Sequence, residues 1–475
     1  MRFPTHLLIN GKSCQGSEGK SLPAVNPATE KKLCDVAAAS KQDVDVAARH
    51  AQQCFISEWR DLAPGKRAVI LFDIARAIRA NLEELAHLEM LNIGKPIADA
   101  RDEISLGART FEFYAGAISK FCGQTIPVAR GGFDFTLRQP MGVVAAIVPW
   151  NFPFPIACWK TAPALAAGNC VLLKPARLSP FTAIRLGEIA VKAGLPAGAL
   201  QILPGPGEEI GESLVRHPLV RKIGFTGSTS VGAQIMRSAS DDVKRVSLEL
   251  GGKSPNIIFA DADWEQAAKS GPMAVFANTG QDCCARSRVF VEKKIYKKVL
   301  EVFVAETKSL IVGDPASAKT QLGPLVSANQ RDVVEKYLES ARQDGRKILG
   351  GERVGKKGYY LNPAIIPDCA TTDKVWREEI FGPVACVRPF TDEDEMLAEV
   401  NDSPYGLSGS IWTNDLKRAL RVARRVESGV LSVNSNSSVH VEAPFGGYKQ
   451  SGLGRDLGMT AMEAYTELKN VYVAE

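Results

Sequence analysis

From Gly142 onward, short apolar β-type runs recur at Val143–Val148, Cys170–Leu173, Leu200–Leu203, Lys222–Phe225 and Val246–Leu248. Helix-like stretches lie between several of them, such as Phe181–Ala193 and Glu208–Val215. Strands interleaved with helices point to a parallel sheet covered on both faces. Strands at this pitch are what a Rossmann-like nucleotide-binding domain needs. The alternation resumes after Ser254, with a strand at Pro255–Phe259 and helical segments around Ile295–Ser309 and Gln330–Arg342, consistent with a second α/β domain. Ahead of both, Val69, Leu71, Phe72, Ile74, Ala75, Ile78, Leu82, Leu85 and Leu88 follow helical spacing, which predicts one long amphipathic helix between Gly65 and Asn92.

Two β-prone segments, Cys122–Pro140 and Leu468–Ala474, fall outside this rhythm and cannot easily join a parallel core. They are candidates for an extra antiparallel element that pairs with another subunit. The 475 residues suffice for two or three domains, since a domain takes roughly 100–200 residues.

Composition narrows the class. With 45% apolar and 23% charged residues the chain has an ordinary globular profile. The net charge of +5 comes from scattered basic residues, with pairs such as Lys293-Lys294 and Arg424-Arg425 the longest clusters, so no nucleic-acid partner follows. Ten cysteines are dispersed without a CxxC pair, which removes zinc-ribbon and thioredoxin readings; no metal site is expected. Several lie in apolar runs, as Cys158 and Cys170 do, which suits a reducing compartment. The first ten residues lack the apolar core of a signal peptide, and no stretch approaches the ~20 apolar residues that cross a bilayer. A cytoplasmic protein with no membrane partner is expected.

Individual motifs are ambiguous. Gly252-Lys253-Ser254 has the form of a P-loop ending, but Ser247 stands where the first glycine belongs. Gly227-Ser228-Thr229-Ser230-Val231-Gly232 is a strand-to-helix turn, yet not GxGxxG; alone it is any tight turn. Cys283-Cys284 follows turn residues Asn278, Thr279 and Gly280; it is either structural or holds a nucleophile, which needs a setting that favours the thiolate. Glu249 interrupts an apolar run, either as an edge carboxylate facing water or as a half-buried base. Asn151, in Pro149-Trp150-Asn151-Phe152-Pro153, is a turn residue or an amide aimed at a developing oxyanion.

Together these pieces resemble one family. Pro149-Trp150-Asn151-Phe152-Pro153, Leu173-Lys174-Pro175-Ala176, Phe225-Thr226-Gly227-Ser228-Thr229, Leu248-Glu249-Leu250-Gly251-Gly252-Lys253, Gly280-Gln281-x-Cys283, Glu378-Glu379-Ile380-Phe381-Gly382-Pro383 and Pro444-Phe445-Gly446-Gly447-Tyr448-Lys449 occur in the order seen in aldehyde dehydrogenases, over nearly the whole chain. The resemblance implies an α/β fold with a Rossmann-like NAD(P)-binding domain (1–121 and 141–251), a catalytic α/β domain (252–455) and a small antiparallel oligomerisation element (122–140 and 456–475). It also implies a homodimer or homotetramer.

The implied reaction oxidises an aldehyde to its acid with NAD or NADP. Cys283, not Cys284, attacks the aldehyde carbon. Its backbone N–H and the Asn151 amide hold the oxyanion, and hydride transfer to the nicotinamide leaves a thioester. Water activated by Glu249 then hydrolyses the thioester. Lys160 matches a lysine assigned an auxiliary proton-relay role. CoA-acylating relatives generally lack this glutamate, so Glu249 argues for hydrolysis.

For the cofactor, Lys174 matches the lysine that reaches the adenosine ribose, and Ser228 with Gly227 matches the pyrophosphate turn. Glu379 and Phe381 match the residues at the nicotinamide ribose and ring, while Trp150, Ala176 and Gly207 line the same cleft. Arg177 departs from the pattern: many NAD-preferring members carry there a glutamate that repels a 2′-phosphate, whereas a guanidinium can pair with one. Phe152, Trp159, Val439 and Phe445 match residues of the aldehyde tunnel. Asp282 is a second departure: facing the tunnel it favours cationic or hydroxylated aldehydes, aminoaldehydes and betaine aldehyde among them, and raises the thiol pKa. Turned to a backbone N–H it only braces the loop. Two other readings remain: an acyl-transferring relative, and a protein that kept the fold without catalysis.

Overall fold

The computed structural model describes residues 2–437 and 439–474. Five parallel strands, Val143–Ile147, Cys170–Lys174, Leu200–Ile202, Val220–Thr226 and Arg245–Glu249, form the centre of the larger sheet. Numbered by chain position they stand side by side as 3-2-1-4-5. Val143–Ile147 and Cys170–Lys174 are buried at every position, as apolar strands covered by helices on both faces must be. The hairpin Leu7–Ile9/Lys12–Cys14 closes one edge antiparallel, and Gly452–Leu453 closes the other. Strand order reverses between Val143–Ile147 and Val220–Thr226. Helices leaving their carboxyl ends diverge to opposite faces there, which opens a crevice.

After Glu249 the chain crosses into a second sheet. Its six parallel strands run in the spatial order Ala364–Pro367, Val384–Phe390, Arg288–Glu292, Pro255–Ile258, Ser408–Trp412 and Val430–Val433, with Leu349–Gly350 antiparallel at one edge. The strand Gly452–Leu453 returns to the larger sheet, and Leu407, Phe445 and Leu457 pack into that sheet's core.

The two β-prone outliers pair with each other: Thr466–Val473 runs antiparallel to Phe133–Pro140 along its full length, and Thr125–Ile126 adds a third strand. Phe133, Leu137, Leu468, Tyr472 and Val473 of this sheet are exposed.

The single long helix expected between Gly65 and Asn92 is two, Pro64–Ala80 and Leu82–Ile93. Asn81 adopts φ −108° and ψ 18°, outside the helical region, and its Nδ2 shares the Ala77 carbonyl with its own N–H. The expected apolar face is incomplete, since Val69 is 58% and Phe72 40% exposed.

Candidate active site

The Cys283 loop is held in an unusual conformation. Asn278, Thr279 and Gly280 all have left-handed φ, at 52°, 57° and 70°; for the two that are not glycine this costs about 1–3 kcal/mol each. A side chain at Gly280 would overlap the Gly382 carbonyl, so the loop presses on the segment carrying Phe381. Gln281 secures it. Its backbone oxygen accepts from Asn151 Nδ2 at 2.9 Å and from Asn278 Nδ2 at 3.2 Å, while its side chain accepts from the Val326 N–H and donates to the Asn278 carbonyl. Among the described residues no helix begins at Cys283, so no helix N-terminus favours its thiolate.

Cys283 stands between two cavities. The first, of about 230 Å³, is walled by Phe152, Trp159, Val439 and Phe445, with Glu249, Asp282, Cys284, Glu103 and Asp456 as its polar groups. The second, of about 260 Å³, is lined by Trp150, Asn151, Gly227, Ser228, Gln330, Glu379 and Phe381. Thr226, Leu250 and Cys283 belong to both. Ring contacts stiffen the walls: Trp159 lies tilted against Phe445 at 5.3 Å, and Trp150 meets Phe381 edge-to-face at 5.2 Å.

The second cavity lies at the topological switch point. Trp150 and Asn151 follow the strand Val143–Ile147; Gly227 and Ser228 follow Val220–Thr226. Ser228 caps the helix Thr229–Ser240, its Oγ accepting from the Val231 N–H. Lys174, Ala176, Arg177 and Gly207 line neither cavity, but they continue the same carboxyl edge beyond the strands Cys170–Lys174 and Leu200–Ile202. Lys174 is 3% exposed and its ammonium donates only weakly, to the Pro175 carbonyl at 3.2 Å; burial lowers its pKa to about 8. Arg177 is exposed.

Two glycines fix the position of Glu379 beside Cys283. A side chain at Gly251 would overlap the Glu379 carboxylate, and one at Gly252 the Cys283 carbonyl. The Gly252 N–H donates to Glu379 Oε1 at 3.0 Å, and burial holds Glu379 near a pKa of about 7.

Burial also dominates the electrostatics of the first cavity. Glu249 is 3% exposed, neither carboxyl oxygen has a hydrogen-bond partner, and desolvation pushes its pKa well above the usual carboxylate range. Its Oε1 would lie 2.5 Å from a side chain at Gly446. The Cys283 thiol is raised by its hydrogen bond with Cys284 and by burial, with Asp282 and Glu379 adding repulsion. Asp282 does both things considered for it: Oδ1 accepts the Cys284 N–H at 2.8 Å, bracing the loop, and the carboxylate lines the cavity. Lys160 lies behind the wall, fully buried, 2.8 Å from Asp456 Oδ2.

Sequence reasoning missed Thr226, Gln330, Glu103 and Asp456. Thr226 sits inside a quoted motif, one residue before the turn, and was there to be found. Glu103 and Asp456 arrive from distant segments and carry no local signal.

The sequence pattern described as the aldehyde dehydrogenase family matches residues 14–471. An aldehyde dehydrogenase of Enchytraeus buchholzi is 41% identical over 474 residues, covering 99% of this chain and 95% of its own. The 4-trimethylaminobutyraldehyde dehydrogenase B of Danio rerio is 42% identical over 461 residues, 96% of this chain and 89% of its own. Among solved structures, the NAD+ complex of the Bacillus cereus aldehyde dehydrogenase superposes with a TM-score of 0.97 at 40% identity, covering 99% of this chain and 96% of its own.

Proposed function

The chain belongs to the aldehyde dehydrogenase family, and from that premise we propose that it oxidises an aldehyde to the free acid through a thioester on Cys283. One observation carries the reading: Cys283 is common wall to an aromatic cavity holding Glu249 and a second cavity at the sheet's switch point. NAD(P)+, when bound, supplies the hydride acceptor. The groups offered to it suit a dinucleotide: the capped helix at Ser228, the buried Lys174, and the carboxylate of Glu379 beside Phe381.

The protein's own residues account for the rest. Asn151 donates one amide hydrogen to Gln281, which fixes the side chain and leaves the second for the oxyanion. The carboxylate of Glu249, unpartnered within the protein, takes a proton from the water that attacks the thioester. Lys160 acts through Asp456, whose carboxylate lines the same cavity. Aldehyde-dependent NAD(P)H formation without CoA, abolished in Cys283→Ala, tests this. Turnover only with CoA would select acyl transfer, and none with any aldehyde a non-catalytic protein.

Cationic aldehydes of the aminoaldehyde or betaine aldehyde kind fit the cavity best. The carboxylate of Asp282 and the rings of Trp159 and Phe445 support this, as does the substrate named for the Danio rerio relative. A trimethylammonio aldehyde should outperform its neutral isostere in kcat/KM. The exposed apolar residues of the three-stranded sheet support a homodimer or homotetramer. No described helix is long and apolar enough to cross a membrane, and we assign the enzyme to the cytoplasm on its dispersed, unpaired cysteines.

A further inference from the structure

Asp282, Cys283 and Cys284 are consecutive, yet a carboxylate oxygen and both sulfurs lie within 4.8 Å of one another. We infer that these three side chains form a chelating site for a soft divalent cation of the Zn2+ or Cd2+ class, which takes the Cys283 sulfur out of reaction when it binds.

The geometry is close to what such an ion needs. Bonds of about 2.3 Å to sulfur and about 2.0–2.2 Å to a carboxylate oxygen separate tetrahedral ligands by roughly 3.5–3.8 Å. From within 4.8 Å, the three atoms must therefore close by roughly 1.0–1.3 Å at most. The loop already arranges them: Asp282 Oδ1 accepts the Cys284 N–H, leaving Oδ2 for an ion, and Arg286 Nη1 donates to the Cys284 carbonyl and anchors the far end. All three line the aromatic cavity, so an ion can enter and water can fill a fourth position. Two other pairs of cysteines interact, Cys54 with Cys170 and Cys369 with Cys386. All four of those thiols are buried and none lines this cavity. Two sulfurs and one oxygen select zinc or cadmium over magnesium or calcium.

Binding balances as one divalent ion plus two thiols giving a bis-thiolate complex and two protons. Full-length, reduced enzyme titrated with Cd2+ should develop an ultraviolet sulfur-to-cadmium charge-transfer band and release about two protons per ion. The band should persist in Cys122→Ser, which removes an exposed thiol, and vanish in the Cys283→Ser/Cys284→Ser double variant. In Cys284→Ser, Cd2+ affinity should fall at least about tenfold, and Zn2+ inhibition, taken against that variant's own metal-free rate, should weaken in parallel and reverse with chelator. A band unchanged in the double variant, no proton release from the unmodified enzyme, or equal Zn2+ inhibition with and without Cys284 would overturn the assignment. Because band and proton release need no turnover, their failure is separable from failure of the proposed reaction.

Discussion

The ammonium of Lys95 donates to the backbone carbonyl of Asn151 at 2.9 Å. The same cation pairs with Glu103 and lies 4.1 Å over the ring of Phe152, so one buried charge fixes both the backbone of Asn151 and a wall of the aromatic cavity. Asn278 Nδ2 donates to the same carbonyl at 3.0 Å, which makes the loss of Lys95 survivable.

Lys95→Met should therefore lower kcat by about 100-fold, the usual result of an ångström-scale misplacement. Stability should fall too, because Glu103 loses its cation; removing one member of a buried pair costs about 3–5 kcal/mol. Adding Glu103→Gln should restore the melting temperature but not kcat. Recovery of both together would mean that Lys95 serves the fold alone. In a double-mutant cycle with Asn151→Ala the rate effects should be strongly non-additive.

Glu249→Gln should leave acylation nearly intact and stop turnover after it. Rapid mixing should show a burst of about one equivalent of NAD(P)H and then a steady rate reduced roughly 100–10,000-fold. Stability carries a second signature. Burial raises the carboxyl's pKa in the folded state, so the folded protein holds a proton that the unfolded chain releases. Stability therefore falls as pH rises through the folded-state value. As pH rises above the usual carboxylate range, melting temperatures should decline less in the glutamine variant, and the unmodified enzyme's deacylation rate should rise as the base ionises.

How much of this was legible in the sequence follows from where each residue sits. Trp150, Asn151, Gly227 and Ser228 lie within a few positions of strand ends, and a parallel sheet brings such ends to one edge whatever the loops do. Order and motif were enough to find them. The break at Asn81 was not legible, because the apolar spacing continues through it and the break is one residue's departure from helical dihedrals. Lys95, Glu103 and Asp456 were equally silent. Each is an ordinary charged residue locally, and becomes part of the site only when the helix Ile97–Ala117 and the segment after Gly454 pack against the Cys283 loop. The raised pKa of Glu249 depends on the same packing.

Arg177 bears on cofactor choice. It is exposed at the carboxyl edge of the larger sheet, three residues beyond the buried Lys174, and its guanidinium can pair with a 2′-phosphate. NADP+ should be used with a kcat/KM within about tenfold of that for NAD+, and Arg177→Glu should depress the NADP+ value at least about tenfold while sparing NAD+, by loss of a charge-assisted contact. A hundredfold NAD+ preference in the unmodified enzyme would remove Arg177 from cofactor selection.

A change at Gly251 tests whether the two cavities divide cofactor and aldehyde as proposed. A methyl group there overlaps the carboxylate of Glu379, which is held by the Gly252 N–H, so the side chain must leave its place in the second cavity. The first cavity does not include Glu379. Gly251→Ala should therefore raise KM for NAD(P)+ by about tenfold or more, the scale of one charge-assisted hydrogen bond, with KM for the aldehyde changed much less. Glu379→Gln keeps the shape and loses the charge. It should reproduce part of the KM effect without the steric part, so the gap between the two variants measures how much of the glycine's role is room for the carboxylate. If aldehyde KM rose as much as cofactor KM in Gly251→Ala, the displacement would extend through Gly252 to the Cys283 carbonyl it abuts, and the two cavities would not be separable at this point.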